Sequence, residues 1–158
     1  MSRVRVIGCG NPDAGDDALG LLAVRSARER VPDTVEVIEA GTSARVIDLL
    51  SDVDAVVLVD AVRSVGAATD AGVIRVVAVG DEVLLGVRTS LSSHGLGLAE
   101  MLGLAAAIGP LPHVVFLGLE ADHVAMGSGL SAPVAAGLPV LVDAVVAEAH
   151  TLAEGPVP

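Results

Sequence analysis

The sequence predicts an α/β fold built on a mainly parallel sheet, and three observations predict it. Short β-branched runs alternate along the chain with stretches that read as helices, the pattern of strands joined by crossover helices. One run, Asp54-Ala-Val-Val-Leu-Val-Asp60, is almost continuously apolar, as suits a central strand buried on both faces. The chain has no Trp, no Tyr and one Phe, Phe116, so Val, Leu, Ile and Ala must fill the core. Such a core favours buried strands covered by small-residue helices. A length of 158 residues suits a single domain, and no linker, repeat or low-complexity block interrupts it. The domain is expected over 1–154, with 155–158 as a frayed tail.

The elements follow in order. Arg3-Val-Arg-Val-Ile-Gly8 alternates and reads as the first strand. The turn-rich loop Cys9-Gly-Asn-Pro-Asp-Ala-Gly15 comes next. Asp16 or Asp17 can cap a helix reaching about Arg30. Val35 to Glu39 is a second strand, ended by Gly41-Thr42-Ser43, and a helix through about Ser51 follows. The apolar run 54–60 is the third strand, with Asp60 closing it. Val73 to Val79 is the fourth. The link before it shows no helix, so this strand is expected to run antiparallel at an edge. Ser92 or Ser93 can cap a helix reaching about Ile108. His113 to Leu119 is the fifth strand. A last helix runs from about Ser131 to His150, with Pro139 expected to kink it.

Composition excludes several function classes. Hydrophobic residues make up 53% and charged residues 18%, which rules out a disordered chain. Lys and Arg number 9 against 20 Asp and Glu, a net charge of −11. So acidic a surface repels phosphate backbones, so no nucleic acid is expected as a partner. It suits a cation, a basic segment of a partner, or solubility alone. No run of about 18 apolar residues is free of charge, so no membrane-spanning helix is expected. The N-terminus enters a strand pattern directly rather than a signal-peptide pattern, and a cytoplasmic location is expected. The one cysteine, Cys9, can form neither an internal disulfide nor a multi-thiolate metal site.

In open α/β sheets ligands gather beyond the C-terminal ends of the strands. The loop after the first strand and the end of the third meet there if those strands are neighbours. Gly8 and Gly10 invite comparison with a dinucleotide-binding loop, but Asp13 stands in the third glycine's place, and the loop's aspartates would repel a pyrophosphate. Asp16 and Asp17 can serve as N-cap and first-turn acid, or one can cap while the other faces the cleft. Asp60 can cap a neighbouring loop or present a ligand-binding carboxylate. His94 sits at a predicted helix start, which disfavours imidazolium and leaves a neutral ring, structural or able to bind metal. His123, in a polar loop, is the alternative ligand; His113 and His150 occupy ordinary element positions. Two carboxylates and one imidazole suit Zn²⁺ or Ni²⁺ and leave coordination positions open. Cys9 reads as a small buried residue rather than a nucleophile.

Taken in order, these residues resemble the hydrogenase maturation proteases. The resemblance runs through Gly10-Asn11, Asp16-Asp17-Ala-Leu-Gly20, Glu39-Ala-Gly-Thr42, Val57-Leu-Val-Asp60-Ala61, Ser93-His94-Gly-Leu-Gly-Leu98 and Gly129-Leu-Ser-Ala-Pro133. It implies a twisted five-stranded sheet between helices, with one antiparallel strand. It implies an endopeptidase that removes a C-terminal peptide from the nickel-loaded precursor of a hydrogenase large subunit. By match, Asp17, Asp60 and His94 hold the metal, which is nickel supplied by the precursor or another divalent ion such as zinc. Asp16 orients water or acts as base, or serves only as a cap. Asn11, Glu39, Gly41 and Thr42 contact the substrate, and the protein acts as a monomer. Two departures stand out. Asp17 is one methylene shorter than the Glu common in the family, and Glu39-Ala40 replaces an Asp-Gly pair before Gly41-Thr42. Alternative readings are a non-cleaving, metal-sensing binding protein of the same fold and a small-ligand-binding α/β domain.

Overall fold

The structure is a computed structural model that describes residues 2–62, 74–79, 98–121 and 124–157. Alternating Val and Ile residues form β1, Val4–Cys9, and β2, Val35–Gly41, which pair in parallel. The apolar run forms β3, Ala55–Val62, parallel to β1 on its other side. Beyond β3 lies β5, His113–Glu120, also parallel, and then β4, Ile74–Val79, antiparallel at the edge. The sheet order is β2-β1-β3-β5-β4. The expected fold, with one antiparallel edge strand, is the one observed.

Period-two alternation sorts the strand side chains into two apolar layers. Val57, Val59, Leu117 and Leu119 face α1 (Leu19–Ala27) and α4 (Ala132–Glu154). Val56, Leu58 and Phe116, the only aromatic residue, face the single-turn α2 (Val46–Leu49) and α3 (Leu98–Ile108). Helices therefore cover both faces, and the small-residue packing predicted from composition is what fills them.

Several boundaries differ from the sequence reading. Strand β3 continues past Asp60 to Val62, because β5 still pairs with it there. The first helix ends at Ala27 and is entered through a 3-10 turn, Gly15–Ala18, whose N-cap position is Ala14, with no side-chain cap. Neither Asp16 nor Asp17 is therefore an N-cap. Helix α4 extends to Glu154 with Pro139 inside it, and Val157 beyond it packs against the α1–α4 layer. Contrary to expectation, α4 is long and apolar enough to cross a membrane by length and composition. Val134, Leu141, Val142, Val145, Ala149 and Leu152 on it are buried, the stripe of a helix that packs one face on the core. The helix start expected at Ser92 or Ser93 lies outside the described residues.

The sheet order places a crossing point between β1 and β3. From β1 the chain proceeds to β2 on one side, and from β3 the sheet grows on the other. The crevice beyond the C-terminal ends of β1 and β3 is where open α/β sheets bind ligands.

Candidate active site

Glycines bring the acids of the 3-10 turn to that crevice. Gly10 leaves β1 with φ +134, and a Cβ there would strike the carbonyl of Asp17. At Gly20 a Cβ would stand 2.5 Å from the Val59 carbonyl oxygen and 3.2 Å from the Asp60 Cα. Only glycine lets the turn and the start of α1 press so closely onto β1 and β3.

Asp60 lies near the C-terminal end of β3 and is 5% exposed. The Ala61 N–H donates to its Oδ1 at 2.8 Å. Burial pushes its pKa up to about 7; the Ala61 hydrogen bond opposes this, and the charge of Asp17 adds to it. Asp17 is also buried and accepts a hydrogen bond from the Asn11 N–H at 3.1 Å on Oδ2. Its pKa is raised by burial, against the pull of that bond. The two carboxylates thus repel one another in a site that disfavours charge, and Asp60, the more deeply desolvated, holds its proton longer. Cys9 closes β1 beside them. Burial first, then the charges of Asp60 and Asp17, push its thiol well above the usual range, so it is a neutral buried group.

The other predicted residues divide around this pair. Asp16 is fully buried, and both its oxygens are engaged by Ser131, with the N–H at 2.6 Å and the hydroxyl at 2.8 Å. Asn11 sits at the rim, its Oδ1 accepting from the Asp13 N–H at 3.0 Å. Glu39 and Gly41 lie at the end of β2 and Thr42 just beyond it, with β1 between β2 and the β3 strand that carries Asp60. Glu39 is tied to Arg25 at 2.7 Å and Arg28 at 3.8 Å, and the Arg25 hydrogen bond lowers its pKa. The pairing shifts at Ala40, so Gly41 stands opposite Cys9 and takes a positive φ of 72. His94 and His123 lie outside the described residues. His113 starts β5 opposite Ala55, at the other edge of the sheet, and His150 lies on α4, bonded to Glu154 and the Arg30 carbonyl.

Three residues at the site went unassigned in the sequence reading. Ser131 anchors Asp16. Met126 forms a bridge with Ala14, and its sulfur lies 3.9 Å from Asn11 Nδ2. Glu120 is a buried acid at the end of β5, on the same sheet face as Asp60 by register. The signal that marked Asp60, an acid closing an apolar strand, would have marked Glu120 as well.

Among the described residues, no group of three His, Cys, Asp or Glu could hold a metal. Asp17 and Asp60 nonetheless fit two positions of one. They are buried oxygen donors, and a cation would relieve both their desolvation and their repulsion.

The fold and this crevice define a three-layer α/β protein with an acidic site at the crossing point of its sheet. A family model described as hydrogenase maturation protease matches residues 23–148, and the chain belongs to that family. It is accordingly an endopeptidase. The matched segment contains Asp60 and starts just after Asp16 and Asp17; solved structures extend the likeness. The hydrogenase maturating endopeptidase HybD from Escherichia coli is 26% identical, with 92% of this chain and 91% of that one covered at a TM-score of 0.77. A second Escherichia coli endopeptidase structure, 25% identical, covers 97% of this chain and 94% of its own with a TM-score of 0.81. A hydrogenase 2 maturation peptidase from a Thaumarchaeota archaeon is 28% identical, covering 92% and 97% with a TM-score of 0.67. No curated protein matches the chain.

Proposed function

We propose that this protein removes a C-terminal peptide from the nickel-loaded precursor of a hydrogenase large subunit. The supporting observation is the buried Asp17–Asp60 pair at the β1/β3 crevice, two acids held close with no cation partner for either among the described residues. Burying like charges together is unfavourable for folding, and such pairs are kept where a ligand needs them. In this reading Asp17, Asp60 and His94 recognise the precursor's nickel, or bind another divalent ion such as zinc. A divalent ion held there would polarise the scissile carbonyl and acidify water.

The chain's own residues then have definite tasks. Asp60 must lose its proton as a cation enters, so binding strengthens as pH rises toward about 7. The Ala61 and Asn11 amides hold the two carboxylates in fixed orientation. Of the two neighbouring acids, Asp17 takes the part at the reacting centre, because Asp16 is bound to Ser131. Asn11, Glu39, Gly41 and Thr42 line the approach on the β1 and β2 side and contact the precursor. The protein acts as a monomer in the cytoplasm.

Incubation of the purified protein with nickel-loaded precursor tests this. A truncated large subunit, absent with metal-free precursor, is the expected product. Binding of the loaded precursor without truncation would instead identify a non-cleaving, metal-sensing protein. Failure to bind either the precursor or divalent ions would leave a small-ligand-binding domain.

A further inference from the structure

The two acids of the turn Gly15–Ala18 have different surroundings. Asp17 lies within electrostatic reach of Asp60 and Cys9. Asp16 is fully buried, and its carboxylate receives two hydrogen bonds from a residue 115 positions away, Ser131. Ser131 holds the N-cap position of α4 but makes no side-chain cap bond to its own helix; its hydroxyl is turned to Asp16 instead. The turn lacks a side-chain cap of its own. The segment leading to α4 is stitched to the site loop at two further points. Met126 bridges Ala14, and the Gly127 N–H donates to the Asp13 carbonyl at 2.8 Å.

A carboxylate gripped at both oxygens is fixed in rotation as well as in position. The turn carrying Asp17 is therefore oriented from outside, by a 23-residue helix rooted in the core through Val134 and Leu141. We propose that Ser131 is a positioning residue of the protease, acting through Asp16 to hold Asp17 in register with Asp60. This rests on the assignment of Asp17 to the reacting centre. It gives Asp16 and the Gly129-Leu-Ser-Ala-Pro133 segment a role in alignment, with no contact to substrate.

Displacing a reacting group by about 1 Å costs up to roughly 100-fold in rate. Ser131→Ala removes the hydroxyl bond and keeps the backbone one. Its kcat on nickel-loaded precursor should fall about 10-fold or more, with KM within about twofold. Ser131→Thr, which keeps the hydroxyl, should restore most of the rate. Leu152→Ala, at the far end of α4 from Ser131, is the control for mere loosening of the helix. It should lower the melting temperature at least as much as Ser131→Ala while leaving kcat near wild type well below that temperature. Equal losses of kcat in Ser131→Ala and Leu152→Ala, or no loss in the former, would overturn the proposal. Should Ser131→Ala not fold, Asp16→Asn carries the same test, since its amide can accept only one of the two bonds. Asp17→Asn separates the two levels. If it processes precursor at the wild-type rate, the site assignment itself fails. If it is inactive while Ser131→Ala is fully active, only the positioning role fails.

Discussion

Asp60 and Glu39 both stand near the C-terminal ends of parallel strands, on β3 and β2, yet their surroundings oppose each other. Glu39 is partly exposed and gripped by Arg25 and Arg28, and its pKa is lowered. Asp60 is buried, has a second carboxylate nearby, and its pKa is raised to about 7. An acid that has gained cations on folding is already satisfied. An acid buried beside another acid becomes satisfied when a cation or a proton arrives. The difference separates a carboxylate that folding has already satisfied from the one that the proposed reaction would use.

The largest effect should come from breaking the second kind. Asp60→Asn keeps the size of the side chain and removes its charge. Processing of nickel-loaded precursor should fall about 1000-fold, roughly 4 kcal/mol of transition-state stabilisation. The melting temperature should hold or rise, because repulsion from Asp17 is relieved. Circular dichroism is the suitable probe of melting, since the chain has no Trp or Tyr. A variant that melts lower and cleaves normally would make Asp60 an ordinary structural acid.

That Asp60 is a buried acid near the end of β3 was legible from local pattern, because a carboxylate closing an apolar run is visible in the sequence. Its place two residues inside β3 was not, since the strand is prolonged by pairing of Val62 with Glu120 on β5. The same limit hid the work of Asp16. A first-turn acid reads as a cap for its own helix, and its actual partner, Ser131, is 115 residues away. The antiparallel edge strand was legible, because the sequence of the link before it carries no helix pattern. The cation partners of Glu39 were not, because Arg25 and Arg28 reach it only once α1 lies beside β2.

The pH dependence of stability sharpens the comparison further. Folded Asp60 keeps its proton up to about 7, whereas an unfolded Asp loses it near 3.8. Its contribution is complete below 3.8 and is lost as pH rises through about 7, a change of about 4 kcal/mol. Glu39 has the opposite sign. Its contribution is present above 4.5 and is lost as pH falls through its lowered folded value. Metal-free protein should therefore be most stable at about pH 4 and weaken as pH rises to about 7. Melts in the presence of a chelator check this, and Asp60→Asn should flatten the upper slope. A slope unchanged in that variant would assign it to another group.

Glu39→Gln should do less. The ion pairs it breaks have partners 57% and 50% exposed, so solvent screening limits the stability loss to under about 1 kcal/mol. If Glu39 also lies along the path of the precursor, KM should rise a few-fold with kcat unchanged, which steady-state processing kinetics can read. A fall in kcat comparable to that of Asp60→Asn would erase the distinction between the two acids.

The smallest effects belong to the histidines away from the crevice. His113 begins β5 at the opposite edge of the sheet, and His150 links α4 to the turn that follows α1. His113→Gln and His150→Gln should each process precursor within about twofold of wild type. His150 should still leave a trace in stability. The hydrogen bond to Glu154, and then the Arg30 carbonyl, raise its pKa above 6.5. Its contribution is thus fully present below 6.5 and is lost as pH rises through the folded value. The gap in melting temperature between wild type and His150→Gln should be wider at pH 6 than at pH 9, while cleavage rates stay matched at both. If either variant folds normally and fails to cleave, that histidine, rather than His94, supplies the imidazole of the site. The metal set would then have to be rebuilt at a different edge of the sheet from Asp17 and Asp60, and the contrast between Asp60 and Glu39 would lose its chemical meaning.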